Sequence, residues 1–304
     1  MEKHFLQTEF WAEVRAKQGH QPVWINNNLL LVKQTPLGGF GYMPQVQAAS
    51  IDYAQLVKQA KELNLSHILV DPADLDSTPL PKVPNSVPAE SLYYRHTCIV
   101  DLTPDLDQIL ERMKPKWRYN AKLGGQKGVV VEVSDTDEVF EIFCDLFFKT
   151  VARQKYFGRD KAYYEVIWNT LRPQGKVKIA VAKYQGQPLT AWMLYLGEQT
   201  VYYPYGGSSE SGRDLMPGHA LVWGIIQWAK AAGFKQFDLW GTLGPAADEQ
   251  SPQYGFHRFK MGFGGTEISY AASFVVVISA WRYGLFRLAN SLRWLLLRLS
   301  KALK

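Results

Sequence analysis

The sequence predicts an α+β fold with mixed sheets, laid out as two units of similar plan. Three observations predict it. Short apolar, strand-like runs alternate with segments of helical period; the alternation runs through once in each half; and no short repeat, coiled coil or low-complexity tract interrupts it. A length of 304 residues suits two domains. With 47% hydrophobic and 20% charged residues, the chain can build real cores, which argues against disorder.

The first half opens with helical spacing from Thr8 to Gln18, closed by Gly19. A strand follows at Asn28 to Lys33, and the Gly-rich stretch T-P-L-G-G-F-G-Y-M-P reads as a turn. Ile51 to Leu63 has helical spacing, and Ser66 to Val70 is a short apolar strand ending at Asp71-Pro72. Residues 71–90, rich in Pro, Asp and Ser, read as a surface loop, and Thr97 to Leu102 as a strand. Asp105 to Lys122 is a basic helical pattern, interrupted by Pro115 and ended by Gly124-Gly125.

The second half begins with a strand, Val129 to Val133, then two helices, Asp135 to Gln154 and Tyr163 to Leu171. Val177 to Lys183 and Leu189 to Leu196 are strands joined by Q-G-Q-P, a hairpin signal. Thr200 to Tyr205 is a strand that meets a Gly/Ser loop. His219 to Ala232 is a helix stopped by Gly233, and Gln236 to Trp240 is a buried strand.

Cys98 and Cys144 lie in apolar strings without metal-ligand spacing, which suits a reduced, cytosolic chain. The start, MEKHFLQTEF, lacks an apolar stretch of signal-peptide length, and the apolar run Phe274 to Trp281 is far short of a bilayer span of about 20 residues. A cytoplasmic location is therefore expected. The net charge of +6 is concentrated at one end: Arg282, Arg287, Arg293, Arg298, Lys301 and Lys304 equal the whole excess, with no acidic residue among them. That end would attract an anionic partner first, whether tRNA or a membrane surface. The aromatic content, 10 Trp, 16 Tyr and 15 Phe, only slightly favours ligand binding.

The chain has no G-x-S-x-G elbow, H-E-x-x-H, Walker lysine or Cys/His metal cluster. This argues against hydrolase, metalloenzyme and kinase, and for a reaction between two bound substrates in which positioning supplies the rate. The stretch L-M-P-G-H-A at 215–220 is similar to the pyrophosphate loop of N-acetyltransferases, Q/R-x-x-G-x-G/A. Gly218 and Ala220 fit, but Leu215 replaces the polar first position and weakens a coenzyme A grip.

Six segments then occur in one order and spacing: FLQTEFWAEVR, KWRYNAKLGGQKGVVVE, TVARQKYFGRDKAYY, VYYPYGGSS, FDLWG and FHRFKMGFGG. Together, from Phe5 to about Gly265, they resemble the FemABX family, of the type without a coiled-coil arm. The resemblance implies two domains, each like a Gcn5-related N-acetyltransferase (GNAT): residues 1–127, completed by a C-terminal helix at 278–304, and residues 128–277. It implies transfer of an amino acid from aminoacyl-tRNA to the stem-peptide amine of lipid II or of UDP-MurNAc-pentapeptide, with aminoacyl-tRNA as co-substrate, no other cofactor and no metal.

The resemblance also implies roles for residues. Phe259 and Lys260 match the family's Phe-Lys pair, whose lysine acts at the transfer site; a fixed ammonium there stabilises an oxyanion or holds the terminal phosphate of the tRNA. Without it, Lys260 reads as a surface lysine on a strand end. Arg159 and Tyr163 match residues holding the nucleotide-linked peptide, a task suited to the planar guanidinium fork, or else form a helix start and a core tyrosine. Tyr205 matches a substrate contact, or is strand packing. Arg15 stands where relatives carry a phosphate-contacting lysine. Asp71 matches a strand-end aspartate proposed as the base, although a carboxylate of ordinary pKa is a poor base for an ammonium and an Asp-Pro turn is the structural alternative. Asp238 matches a structural aspartate.

Arg112, Lys114, Lys116, Arg118, Lys122 and Lys127, interleaved with Trp117 and Tyr119, suit RNA phosphate contacts and base stacking, or a solvated helix face. In the tail, Leu285, Leu288, Leu292, Leu295, Leu296, Leu299 and Leu303 share one helical face, opposite the basic residues with Phe286, Trp294 and Leu297. Two readings follow: a helix lying on the anionic inner face of the plasma membrane, or one packing its leucines onto the first domain. Rival functions are an acyl-CoA-dependent N-acyltransferase and a catalytically silent, membrane-peripheral scaffold.

Overall fold

The computed structural model describes residues 2–36, 38–154 and 158–302 of the chain. In chain order the first elements are α1 (Glu9–Lys17), β1 (Gln21–Ile25), β2 (Asn28–Lys33), β3 (Gly39–Val46), α2 (Tyr53–Glu62), β4 (Leu65–Pro72) and β5 (Ser86–Pro88). Next come β6 (His96–Asp101), α3 (Leu106–Arg112), α4 (Pro115–Gln126), β7 (Val129–Ser134), α5 (Asp137–Gln154), α6 (Lys161–Leu171), β8 (Val177–Tyr184), β9 (Gln187–Leu196) and β10 (Thr200–Ser208). The order closes with α7 (Pro217–Ala231), β11 (Gln236–Gly241), α8 (Tyr254–Lys260), β12 (Thr266–Ser269), β13 (Phe274–Val277) and α9 (Ala280–Ala302).

Local chemistry sets these boundaries. Thr8, Asp52, Asp105 and Asp160 each accept a backbone N–H of the first turn of α1, α2, α3 and α6 with a side-chain oxygen, which satisfies donors a helix start leaves free. Pro115 opens α4 rather than kinking a longer helix, because its missing N–H costs nothing in a first turn. The β8–β9 hairpin turns at Gln185 and Gly186, both at positive φ, as a two-residue turn requires.

The chain divides into two compact units, residues 6–93 with 270–304, and residues 1–5 with 94–269. The first carries a sheet of order β1-β2-β3-β4-β13-β5. β3 and β4 are parallel, joined by the α2 crossover, whose Leu56 and Ala60 pack on Leu30, Val32, Met43, Ile68 and Val70. α9 begins on this unit: Phe286 lies 4.5 Å from the His67 ring and 5.3 Å from Phe40, and Arg282 donates to Asn64.

The other unit carries the order β12-β6-β11-β10-β9-β8-β7, with one parallel pair, β10 and β11, joined by α7. α7 buries Leu221, Val222, Ile225 and Ile226 in one core with Ala180, Leu194 and Val201. α5 packs on β8, β9 and β10, and its Phe140 stacks on Trp168 of α6. Each unit thus has the same heart, a strand, a crossover helix and a parallel strand.

Several expectations are corrected. The boundary lies between Tyr93 and Tyr94 rather than at 127/128, because β6 pairs with β11 and β12 and α4 packs on α7. On the far side it lies at 269/270 rather than 277/278, since β13 inserts between β4 and β5. The stretch from Gly39 is strand β3, not a turn; a Cβ on Gly41 would lie 2.7 Å from Leu30 and 3.0 Å from Ile68, so its glycine serves close packing. α4 runs through Gly124-Gly125 to Gln126, with Gly128 at φ +88 beyond it. Lys260 ends a helix, not a strand. The described leucines of the tail stripe, 285, 288, 292 and 295, are exposed, whereas Phe286, placed with the polar face, is the one that packs. The side chains of 294 and 296–304 lie outside the described residues, as do Lys155, Tyr156 and Phe157 of the third segment and Leu37.

Candidate active site

The site is a defect in a sheet. β10 and β11 pair in parallel only at Thr200↔Gln236, Val201↔Phe237 and Tyr202↔Asp238. Beyond this, β10 bulges between Tyr202 and Tyr205, and β11 slips register against β6 between Asp238 and Gly241. Trp240 there adopts φ +61, a strained conformation for a bulky residue that persists only where its surroundings impose it. Asp238 imposes it: Oδ1 accepts the Trp240 N–H at 2.7 Å and the hydroxyl of Thr97. The equivalent pair of the other unit, β3 and β4, also bulges but resumes pairing at Val46↔Pro72. Among the described residues, β10 and β11 do not resume pairing.

Lys260 lies where they part. Its Nζ donates to the carbonyls of Gly241 at 2.8 Å and of Trp240 at 3.4 Å, and sits 5.4 Å from the Tyr203 ring and 5.3 Å from Phe256. Burial lowers its pKa to about 8, against the opposing pull of Asp238 and Cys98. Burial likewise pushes Asp238 up to about 6, while Thr97 and the Trp240 N–H hold it down. An ammonium kept in a poorly solvated notch, with a buried carboxylate to retain its charge, is a preorganised electrostatic group.

α8 is held by a residue from the basic stretch. Trp117 of α4 donates its indole N–H to the Phe259 carbonyl at 2.8 Å, and a Cβ on Gly262 would fall 2.1 Å from its ring. Trp117 is thus committed to positioning α8, whereas Tyr119 is exposed. Phe259 packs edge-on to Trp192, His219 and Phe263. Of the basic side chains, Lys127 donates to the Asp214 carbonyl and Arg112 pairs with Asp101; Lys116 and Lys122 are exposed.

Arg159, Tyr163 and Tyr205 are brought together by α6 and β10. The Arg159 guanidinium lies 5.5 Å from the Tyr163 ring, Tyr163 meets Tyr164 at 5.2 Å, and Tyr164 meets Tyr205 at 5.1 Å, edge to face. Arg159 is exposed and the tyrosine pair, 163 and 205, is half-buried. The bulge separates this group from Lys260 across the sheet: Tyr205 packs on Phe147 of α5, while Tyr203 stacks at 3.5 Å on Trp192, a member of the α7 core.

Arg15 and Asp71 belong to the other unit. Arg15 donates to Gln18 at 2.6 Å and bonds His20 at 2.9 Å, so its guanidinium is partly committed. Asp71 is buried. Its oxygens accept from Tyr42 at 2.6 Å, Ser273 at 2.7 Å and the Leu92 N–H at 3.1 Å, which ties β4 to the segment before β6 and to the entry of β13. Burial raises its pKa, opposed by those bonds.

Two features escaped sequence reasoning. Tyr203 and Trp240 frame the notch, and the signal for it was the proline in Tyr203-Pro204-Tyr205, which cannot donate to a ladder and marks a bulge. The first turn of α7, where an N-acetyltransferase would grip pyrophosphate, is covered by α4: a Cβ on Gly124 would lie 2.7 Å from Ala220 and 3.3 Å from the Leu215 carbonyl. Burial pushes Cys98 and Cys144 up to about 12, so neither supplies a thiolate at neutral pH.

Comparison with known proteins matches the family model "Acetyltransferase (GNAT) domain" at residues 111–260. A lipid II:glycine glycyltransferase of Staphylococcus epidermidis is 21% identical over 232 residues, covering 56% of this chain and 55% of that protein. One from Staphylococcus aureus is 22% identical over 237 residues, covering 56% of each. The chain thus spans little more than half the length of these curated relatives. Among solved structures, the crystal structure of FemX superposes with a TM-score of 0.78 over 93% of this chain and 94% of that one, at 19% identity, a likeness of fold.

Proposed function

We propose that the chain, which has a GNAT-type fold, is a FemABX-type aminoacyltransferase adding an amino acid to the stem peptide of a peptidoglycan precursor; its likeness to lipid II:glycine glycyltransferases and to the fold of FemX supports this reading. The donor is aminoacyl-tRNA and the acceptor is lipid II or UDP-MurNAc-pentapeptide. Such a reaction runs in the cytoplasm, where charged tRNA is found. The donor ester is already activated, so the transfer calls for no further cofactor.

The observation that carries this reading is the parted β10–β11 pair with Lys260 in it. In the transfer, the acceptor amine attacks the ester carbonyl and a C–N bond forms. The Lys260 ammonium faces the developing oxyanion, the C–O bond to the terminal ribose breaks, and the amine proton leaves with the ribose oxygen. Arg159, with Tyr163 and Tyr205, holds the phosphate-bearing end of the acceptor on the face of the sheet opposite Lys260, the guanidinium pairing with its phosphates, so that the long stem peptide must reach past the bulge to the transfer site. Phe259 anchors the lysine by its packing. Arg15 contacts phosphate, the role its place in the first segment implies. For Asp71 we assign a positioning role, because its oxygens are engaged by three donors and it is buried.

The test is incubation with a charged tRNA pool and each precursor, read by mass spectrometry. A mass gain of one or more aminoacyl residues on the stem peptide is expected, and no gain on either acceptor refutes the reading. The GNAT match favours an acyl-CoA-dependent transfer as the alternative. The α4 cover on α7 weighs against it, and a clear thermal shift with coenzyme A would restore it.

A further inference from the structure

α9 carries two apolar faces on opposite sides. Phe286 and Tyr283 turn inward, onto His67 and Phe40. The other face bears Trp281 at 70% exposure, Leu285 at 41%, Leu288 at 59%, Leu292 at 53% and Leu295 at 54%. At 100° per residue these five fall within one narrow stripe, spaced 3 or 4 apart, the pattern of a helix that buries one side. A stripe of this length is too large to be the scatter of single exposed apolar residues.

What covers it is decided by its margins. By the same helical spacing, Arg287 lies along one edge of the stripe and Arg293 along the other, beyond Arg282, which donates to Asn64; no acidic residue occurs from Ala280 to Lys304. Pairing of two copies through their stripes would set the basic margins of one helix against those of the other, which like charges disfavour. A partner protein would need a uniformly acidic rim around an apolar groove. An anionic bilayer supplies both at once: acyl chains for the leucines, phosphates for the flanking guanidiniums, and an interfacial level suited to Trp281. No helix among the described residues is long and apolar enough to cross a membrane, so the contact lies in the interface plane.

We propose that the outer face of α9 docks the protein on the surface of an anionic membrane. The inner face keeps the helix on its own unit while the outer face inserts. The proposal does not rest on the transfer reaction, because docking is measured on vesicles that hold no cell-wall precursor.

The experiment is sedimentation of the full chain with vesicles of phosphatidylglycerol and phosphatidylcholine, against phosphatidylcholine alone. Binding to the anionic vesicles is expected, weakened by 0.5 M salt. Leu288→Glu and Leu292→Glu, at exposed positions, should each lower the partition coefficient about tenfold with the folding transition unchanged. Arg287→Gln should lower it about fivefold on anionic vesicles only. A chain that stays in the supernatant at low salt overturns the proposal, as does binding indifferent to Leu288→Glu and Leu292→Glu. A dimer in solution that those two variants dissociate would assign the stripe to a second copy instead.

Discussion

Replacing Lys260 with Met separates two roles that usually travel together. The fall of the Lys260 pKa from 10.5 to about 8 means that holding it charged costs the fold about 3 kcal/mol at pH 7. Against this stand two hydrogen bonds to the Gly241 and Trp240 carbonyls, the second long, whose loss costs about 2 kcal/mol together. Lys260→Met keeps the stem against Tyr203 and Phe256 and removes only the charge. Its stability at pH 7 should therefore equal or exceed that of the parent by about 1 kcal/mol. Transfer should fall about 10²- to 10³-fold, the loss typical of one oxyanion donor. The pH dependence supplies a control. Between about pH 8 and 10.5 the unfolded parent chain keeps a proton that the folded chain has released, so parent stability rises with pH there. The variant lacks that rise, so the gap between the two should close within about one unit above pH 8 and reverse by pH 10, where the parent is the more stable by about 1 kcal/mol. Urea unfolding followed by circular dichroism at pH 7 and pH 10, beside a turnover assay, reads all three. A variant destabilised by more than about 2 kcal/mol at pH 7, or one that turns over normally, would refute the reasoning.

Four further outcomes are expected. Asp238→Asn keeps an acceptor for the Trp240 N–H but removes the anion that holds Lys260 charged, so the alkaline limb of the turnover–pH profile should move to lower pH. Asp71→Ala strands two hydroxyls and an N–H and should cost about 3 kcal/mol in thermal unfolding, whereas Asp71→Asn should keep most transfer; a stable Asp71→Asn without activity would make it a chemical group. Gly262→Ala drives a methyl into the Trp117 ring and should lose about 1–3 kcal/mol, with altered tryptophan fluorescence and lower turnover. Arg159→Ala, at an exposed position, should leave stability within about 0.5 kcal/mol and raise KM for the acceptor.

Elements defined by local chemistry were legible without coordinates. The helical spacing of α1 and α2, the Pro115 break, the Q-G-Q-P hairpin and the apolar runs of β2, β8 and β9 are each dictated by residues within a few positions of one another. β3 was misread because its glycines serve packing by distant Leu30 and Ile68, which nothing in the adjacent sequence announces. The domain boundary was misplaced for the same reason, since β6 reaches its partners β11 and β12 across well over a hundred residues. Tyr205 was singled out and Tyr203 passed over, although only the bulge decides which tyrosine faces Lys260.

The chain alone thus determined the fold class, most of the helices and the strands of strong apolar pattern, and the basic end with its leucine stripe, while its resemblance to a known family singled out Lys260, Arg159 and Tyr205 as candidates. Tertiary structure decided what those residues can do. It parted β10 from β11, aimed two carbonyls at one ammonium, turned Tyr205 to the opposite face, bound Asp71 to three donors and left the leucines of α9 in solvent. Propensity and spacing act over a turn or a hairpin, whereas burial, and with it every shifted pKa here, is set by side chains that meet only once the sheets have closed.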